Sequence, residues 1–231
     1  MKESASGRLA KHCLPILVTS HLIVAAADVS SGVAVSQQAL PQAGPIATVC
    51  GWVIDVVDND PTGEPTSHIR IARAGAEEFR AQVAAQDRDS FGESLELLYG
   101  GGYVCVTGVI EEGNPPAMLL SGPHQVDRAF RMNEPGVSIP KVRERVLPEF
   151  PDQLMRRLQR DQEIEAYVLV EAIITREGKV ADPRVREPGW HEEFNRRAME
   201  AAPQWLFEPG TKDGRPVMVI GEFTFTYRAR I

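Results

Sequence analysis

Histidine is scarce in this chain and scattered. There are five in 231 residues, with His68, His124 and His191 far apart and His12 and His21 near the amino terminus. No local signature sets a serine, cysteine or lysine nucleophile beside a base, so nothing in the sequence points to catalysis. Cysteine is rarer still: Cys13, Cys50 and Cys105 are the only three. One cysteine pair without companion histidines cannot build a zinc site. Asp55, Asp58 and Asp60 lack the following bidentate glutamate of a calcium-binding EF-hand loop, so a solvated turn is expected there and no metal or cofactor is implied. Long apolar runs are missing too. Past the amino terminus no segment approaches the ~20 residues that a spanning helix needs.

What is present begins with Arg8 and Lys11, then an apolar run from Cys13 to Val24 and Ala25-Ala26-Ala27. That layout predicts a secretory signal peptide over residues 1–27 and a periplasmic mature protein. Residues 28–44 are small and polar, and are expected to be flexible. Cleavage would remove Cys13. Cys50 and Cys105 then remain in two strand-like runs, Thr48–Val57 and Tyr103–Ile110. In an oxidising compartment they are a disulfide candidate, worth about 4 kcal/mol by the chain-entropy argument. The competing reading is two buried free thiols.

Two folded units are expected, over residues 45–126 and 147–231, with residues 127–146 as a linker broken by Pro135-Gly136 and Pro140. The charge divides the same way. Residues 45–126 hold twelve acids against four bases, near −8, whereas residues 141–231 are neutral, so the net −7 sits in the first unit. That balance weighs against a nucleic-acid partner, which needs a positive groove.

In the first unit, strand-like alternation over Ala47–Val57, Ser67–Ala72 and Glu78–Ala84 is followed by helical spacing over Ser90–Tyr99. Strands then return over Tyr103–Glu111 and Ala117–Leu120. Strand, strand, strand, helix, strand, strand is the order of an OB-fold, an all-β five-stranded barrel with one short helix. The runs Ala47-Thr48-Val49-Cys50-Gly51, Tyr103–Ile110 and Pro116–Val126 resemble bacterial OB domains of the nucleic-acid-binding type. In such a barrel the strands carrying Cys50 and Cys105 are neighbours, which that resemblance implies would let them bridge.

The second unit reads as α+β, with helices on one face of a small antiparallel sheet. Leu147-Pro148-Glu149-Phe150-Pro151 precedes a helix from Asp152 to about Arg160. A strand over Glu163–Thr175 turns at Glu177-Gly178 into Lys179–Arg186, and a second helix runs over His191–Gln204. Trp205-Leu206-Phe207-Glu208-Pro209, an Asp213-Gly214 turn and a last strand over Pro216–Tyr227 complete it. These pieces, in this order, resemble the carboxy-terminal domain of the TonB family.

The resemblance implies a non-catalytic domain that recognises a protein or peptide of the cell envelope, such as an outer-membrane receptor, by adding a strand to a sheet edge. Partner-binding candidates are Pro148, Phe150 and Pro151, placed where the family carries a Pro-x-Tyr-Pro sequence, and Phe223, Phe225, Tyr227 and Arg228 of the last strand. Phe150 could equally staple the helix start to the core, and Trp205 and Phe207 read as core. The last strand could instead be internal or paired in a homodimer. An alternative is an envelope protein whose barrel holds a glycan while the second unit dimerises. Neither a long proline-rich spacer nor a convincing anchor is legible, so energy transduction by this chain alone is not expected.

Overall fold

The computed structural model describes residues 45–58, 66–73, 75, 77–156 and 163–230. The expected signal peptide and flexible segment, most of the turn after Asp58 and the expected end of the first carboxy-terminal helix lie outside the described residues.

Five strands close the amino-terminal barrel: β1 (Ile46–Val57), β2 (Thr66–Ala72), β3 (Phe79–Ala84), β4 (Tyr103–Glu111) and β5 (Ala117–Leu120). Their order is β1-β2-β3-β5-β4, and β4 returns to pair with β1. All neighbours are antiparallel except β3 and β5, which run parallel. This is the circuit that the order of sequence elements predicts. Alternation drives it: Phe79, Ala81 and Val83 point inward and are fully buried, as are Ile69 and Ile71 of β2.

Between β3 and β4 lie α1 (Ala85–Arg88), a 3-10 turn at Asp89–Phe91 and α2 (Leu95–Tyr99). The predicted helix over Ser90–Tyr99 is thus split. Ser94 is the cap that wins, because its hydroxyl accepts from the Leu97 amide at 3.1 Å. Leu95 is fully buried in the barrel core. Cys50 and Cys105 stand directly opposite in the β1–β4 register and are joined by a disulfide.

Residues 126–144 contribute β6 (Val126–Arg128), β7 (Phe130–Arg131) and β8 (Lys141–Glu144). β6 extends the barrel along β4. β7 leaves it and joins a second sheet. That sheet also contains β9 (Glu163–Ile174) and β10 (Val180–Glu187). α3 (Asp152–Met155) precedes β9, and α4 (Glu192–Ala201) follows β10 and runs into a 3-10 turn at Ala202–Gln204. His191 caps α4, its Nδ1 accepting from the Glu193 amide at 3.2 Å.

After α4 come β11 (Leu206–Glu208), the tight hairpin β12 (Thr211–Lys212) and β13 (Arg215–Pro216), then the long strand β14 (Val219–Arg230). The second sheet has the order β10-β9-β14-β7. It is antiparallel across its three long strands, but β7 pairs parallel to β14, so the sheet is mixed. β8 and β11 form a separate ribbon.

One face of the second sheet packs on α4. Phe194, Ala198 and Ala201 of the helix meet Val168, Val170, Phe223 and Phe225 in a shared core that also takes Trp205 and Phe207. The other face meets the barrel. Trp52 and Tyr103, whose rings lie edge to face at 5.4 Å, pack with Ala129, Ile173, Met218 and Ile220, and the disulfide borders this cluster. The described residues from Pro45 onward therefore belong to one compact unit.

Candidate functional site

The two borders of the second sheet differ. At β10 the border is guarded. Pro183 lies inside the strand, two register shifts interrupt its pairing with β9, and Asp182 takes a positive φ of 43°. Prolines and bulges are how proteins blunt an edge. The ribbon also closes the start of β10, where Lys179 bridges Leu206 and the Phe207 amide donates to the Gly178 carbonyl at 2.8 Å.

At β14 the border is bare. β9 pairs with all twelve residues of the strand, from Val219↔Ile174 to Arg230↔Glu163. On the opposite side β7 pairs only with Val219 and Ile220. From Gly221 to Arg230 no second neighbour is present among the described residues.

The outward-facing backbone groups follow from one bond. Phe130 N–H donates to the Met218 carbonyl at 2.8 Å, so the groups of Met218 and Ile220 face β7. Successive residues of a strand turn their N–H and C=O to alternate sides. Glu222, Thr224, Thr226, Arg228 and Arg230 therefore present theirs to the open side.

A groove runs beside the first part of this border. On the α4 side a cavity of about 320 Å³ is bounded by Val142, Arg145, Trp205, Phe207 and Phe223. On the opposite face a second cavity of about 280 Å³ lies between Arg131–Asn133 and Glu171, Ile220 and Glu222. The α4-side wall is firm. Trp205 Nε1 donates to the Val146 carbonyl at 2.7 Å, and the Arg145 guanidinium lies over the indole at 5.3 Å. Trp205 and Phe207 are buried against Phe223, as core residues are expected to be.

The residues singled out from the sequence fall in three places. Phe223, Phe225 and Tyr227 point into the helix-packed core, and Phe225 is fully buried. Tyr227 donates its hydroxyl to the Phe194 carbonyl at 2.8 Å, and burial pushes its ionisation well above the usual tyrosine range. At these positions the strand's exposed side chains belong to the alternate residues. Arg228 is one of them, donating to Glu165 at 2.9 Å. Pro148, Phe150 and Pro151 lie along α3 and α4: Pro151 is buried, and half-buried Phe150 meets Phe194 edge to face at 5.5 Å. That contact fits a staple for the helix start. Glu222, Thr224 and Thr226, and the walls supplied by Arg131–Asn133 and Val142, were not singled out. The alternation shows that one row faces outward, but not that the strand lacks a neighbour.

Residues 148–229 match the family profile described as Gram-negative bacterial TonB protein C-terminal. This segment is a TonB C-terminal domain. It begins at the proline of Leu147-Pro148 and ends one residue short of the end of β14, so the open border lies within the TonB C-terminal domain, as do Trp205 and Phe207. β7 and β8, which limit and flank the border, precede it. Among solved structures the chain matches the solution NMR structure of the Pseudomonas aeruginosa TonB CTD at 25% identity, over 44% of this chain and 93% of that one, with a TM-score of 0.31. No curated protein matches the chain.

Among the described residues no cluster of three or more His, Cys, Asp or Glu could hold a metal ion, and no helix is long and apolar enough to cross a membrane.

Proposed function

We propose that this protein is a periplasmic binding protein that captures an extended peptide segment of an envelope or outer-membrane transport partner on the open border of β14. The observation that carries this reading is the asymmetry of the sheet, with proline and bulges on β10 and, on β14, ten residues with no second neighbour among the described residues. Backbone groups that already face outward give a partner strand its hydrogen bonds, and the flanking cavity takes alternate side chains. The TonB C-terminal family supports the class of partner.

The test is titration of isotope-labelled full chain with peptides from the periplasmic segments of outer-membrane receptors. Amide shifts should concentrate at residues 222, 224, 226 and 228. Thr226→Pro removes an outward N–H without touching the β9 ladder, a position where proline is tolerated. It should keep the fold and abolish binding. Shifts confined to the barrel, or binding that survives Thr226→Pro, would overturn the reading and favour a ligand held by the barrel.

A further inference from the structure

The exposed row of β14 bears charge only at intervals, and each charge continues a row of charges across the sheet. In the register, Arg184 of β10 stands opposite Glu171 of β9, which stands opposite Glu222 of β14. Arg184 bonds the Glu171 carboxylate at 2.7 Å through Nε, so this basic partner is already engaged. Glu222 is thus left beside a like charge on one side and the open border on the other. It makes no ion pair among the described residues. Six residues on, the sign reverses. Arg228 stands opposite Glu165 and bonds it, with its outer flank facing the same border. Thr224 and Thr226 lie between them, opposite Leu169 and Tyr167.

Like charges directly opposite each other on a sheet are destabilising and opposite charges attract, by about 0.2–1 kcal/mol per pair. A strand added at the border completes both rows. Beside Glu222 the favourable residue is basic, and beside Arg228 it is acidic. The residue that comes to lie beside Phe223 turns toward the cavity of Val142, Trp205 and Phe207, which calls for an apolar side chain there. Resting on the edge-capture reading, we infer that the border selects a seven-residue extended segment with a base at one end, an acid at the other, and an apolar residue next to the base.

The occupant is a single strand rather than a second copy of this chain. Self-pairing about Phe225 would also set Glu222 against Arg228 of the other copy. However, walls rise on both faces of Gly221–Thr224, with the β8–β11 ribbon on one side and Arg131–Asn133 on the other. A strand passes between such walls; a whole sheet carrying its own helix does not.

Four seven-residue peptides test this in low-salt buffer against the full chain. Each has valine at positions two, four and six and threonine at three and five, and they differ in their ends: lysine then glutamate, glutamate then lysine, two glutamates, or two lysines. Both mixed orders are needed, because a parallel strand sets its first residue beside Glu222 and an antiparallel strand its last. One mixed order should bind about three- to tenfold more tightly than either like-charged peptide. Glu222→Arg should transfer the preference to the peptide with two glutamates, and Arg228→Glu to the one with two lysines. Equal affinity for all four, with amide shifts still at residues 222–228, would overturn the charge register and leave edge capture standing. No shift at those amides with any peptide would overturn edge capture itself. A concentration-dependent dimer that Glu222→Arg dissolves would assign the border to a second copy and end the inference.

Discussion

Tyr103 of the barrel donates its hydroxyl to the carboxylate of Asp182, which sits at a bulge of β10 in the second sheet. The Trp52 indole N–H donates to the carbonyl of the same residue at 3.1 Å. Two aromatic side chains from neighbouring strands of one barrel thus converge on one residue of another sheet, inside an apolar cluster. Burial first, and then the bond to Asp182, raises the Tyr103 ionisation well above its ordinary value. Since the folded form holds this proton more tightly, the contribution is complete below the unfolded tyrosine value of about 10 and is lost as pH rises beyond it. Tyr103→Phe leaves the carboxylate short of a partner and should cost about 1–3 kcal/mol at pH 7. Urea unfolding followed by tryptophan fluorescence and by far-ultraviolet circular dichroism should show one coincident transition. Two separated transitions would mean that the contact does not couple the halves.

Arg184 ties the same joint to the sheet. Its guanidinium lies over the Trp52 ring at 3.5 Å while Nε bonds Glu171, a carboxylate that is almost wholly buried. Removing the base leaves a buried carboxylate with only Arg186 Nε, 3.9 Å away, among the described residues, so Arg184→Ala should cost up to about 3–5 kcal/mol. Pairing that change with Glu171→Gln should recover much of the loss. A double-mutant cycle measures the coupling. Additive losses would show that Arg184 and Glu171 are not energetically coupled.

The order of the barrel strands and the core role of Trp205 and Phe207 were legible because each is written in local alternation or in a turn, whereas the facing of Cys50 and Cys105 followed from the OB resemblance. The pieces that shape the site were not, for a physical reason. Residues 127–146 read as a linker with Pro135-Gly136 and Pro140 as breakers. They nevertheless hold β7 and β8, of two and four residues, whose partners Val219 and Phe207 lie far along the chain. Strands so short show no period. Trp52 gave no hint of its role, since the contact with Arg184 spans the joint between two sheets. The bareness of β14 is a property of what is missing beside it, which no residue within the strand encodes.

Gly178 and Gly214 both take positive φ, at 78° and 77°, but their surroundings differ. A Cβ at Gly178 would lie 1.9 Å from the Phe207 carbonyl oxygen, whereas at Gly214 it would meet open space. Gly214→Ala therefore faces backbone strain alone, about 1–2 kcal/mol. Gly178→Ala must also push β11 away and should cost about 3 kcal/mol or more. Because β11 supplies Phe207 to the cavity wall, the second variant should also weaken peptide capture at the β14 border. Thermal melts of the two variants side by side check the ranking, and equal losses would contradict the close approach.

Asp58 fastens α2 to the barrel. Its carboxylate accepts from Arg88 Nε at 2.9 Å and from the Leu95 amide at 3.1 Å, adding a second cap to the one Ser94 provides. Burial alone pushes this carboxyl up, but Arg88, the Leu95 amide and Ser67 outweigh it and hold it below the ordinary aspartate value. A depressed folded value means that the carboxylate contributes stability above the unfolded value of about 3.9, and that this is lost as pH falls through the folded one. Asp58→Ala should therefore cost about 1–3 kcal/mol at pH 7. The gap between wild type and variant should narrow steadily below about pH 4. Urea midpoints at pH 7, 5 and 3 measure it directly. A gap that stays constant down to pH 3 would mean that the charge on Asp58 contributes nothing, and that the residue acts only as a neutral acceptor for the start of α2.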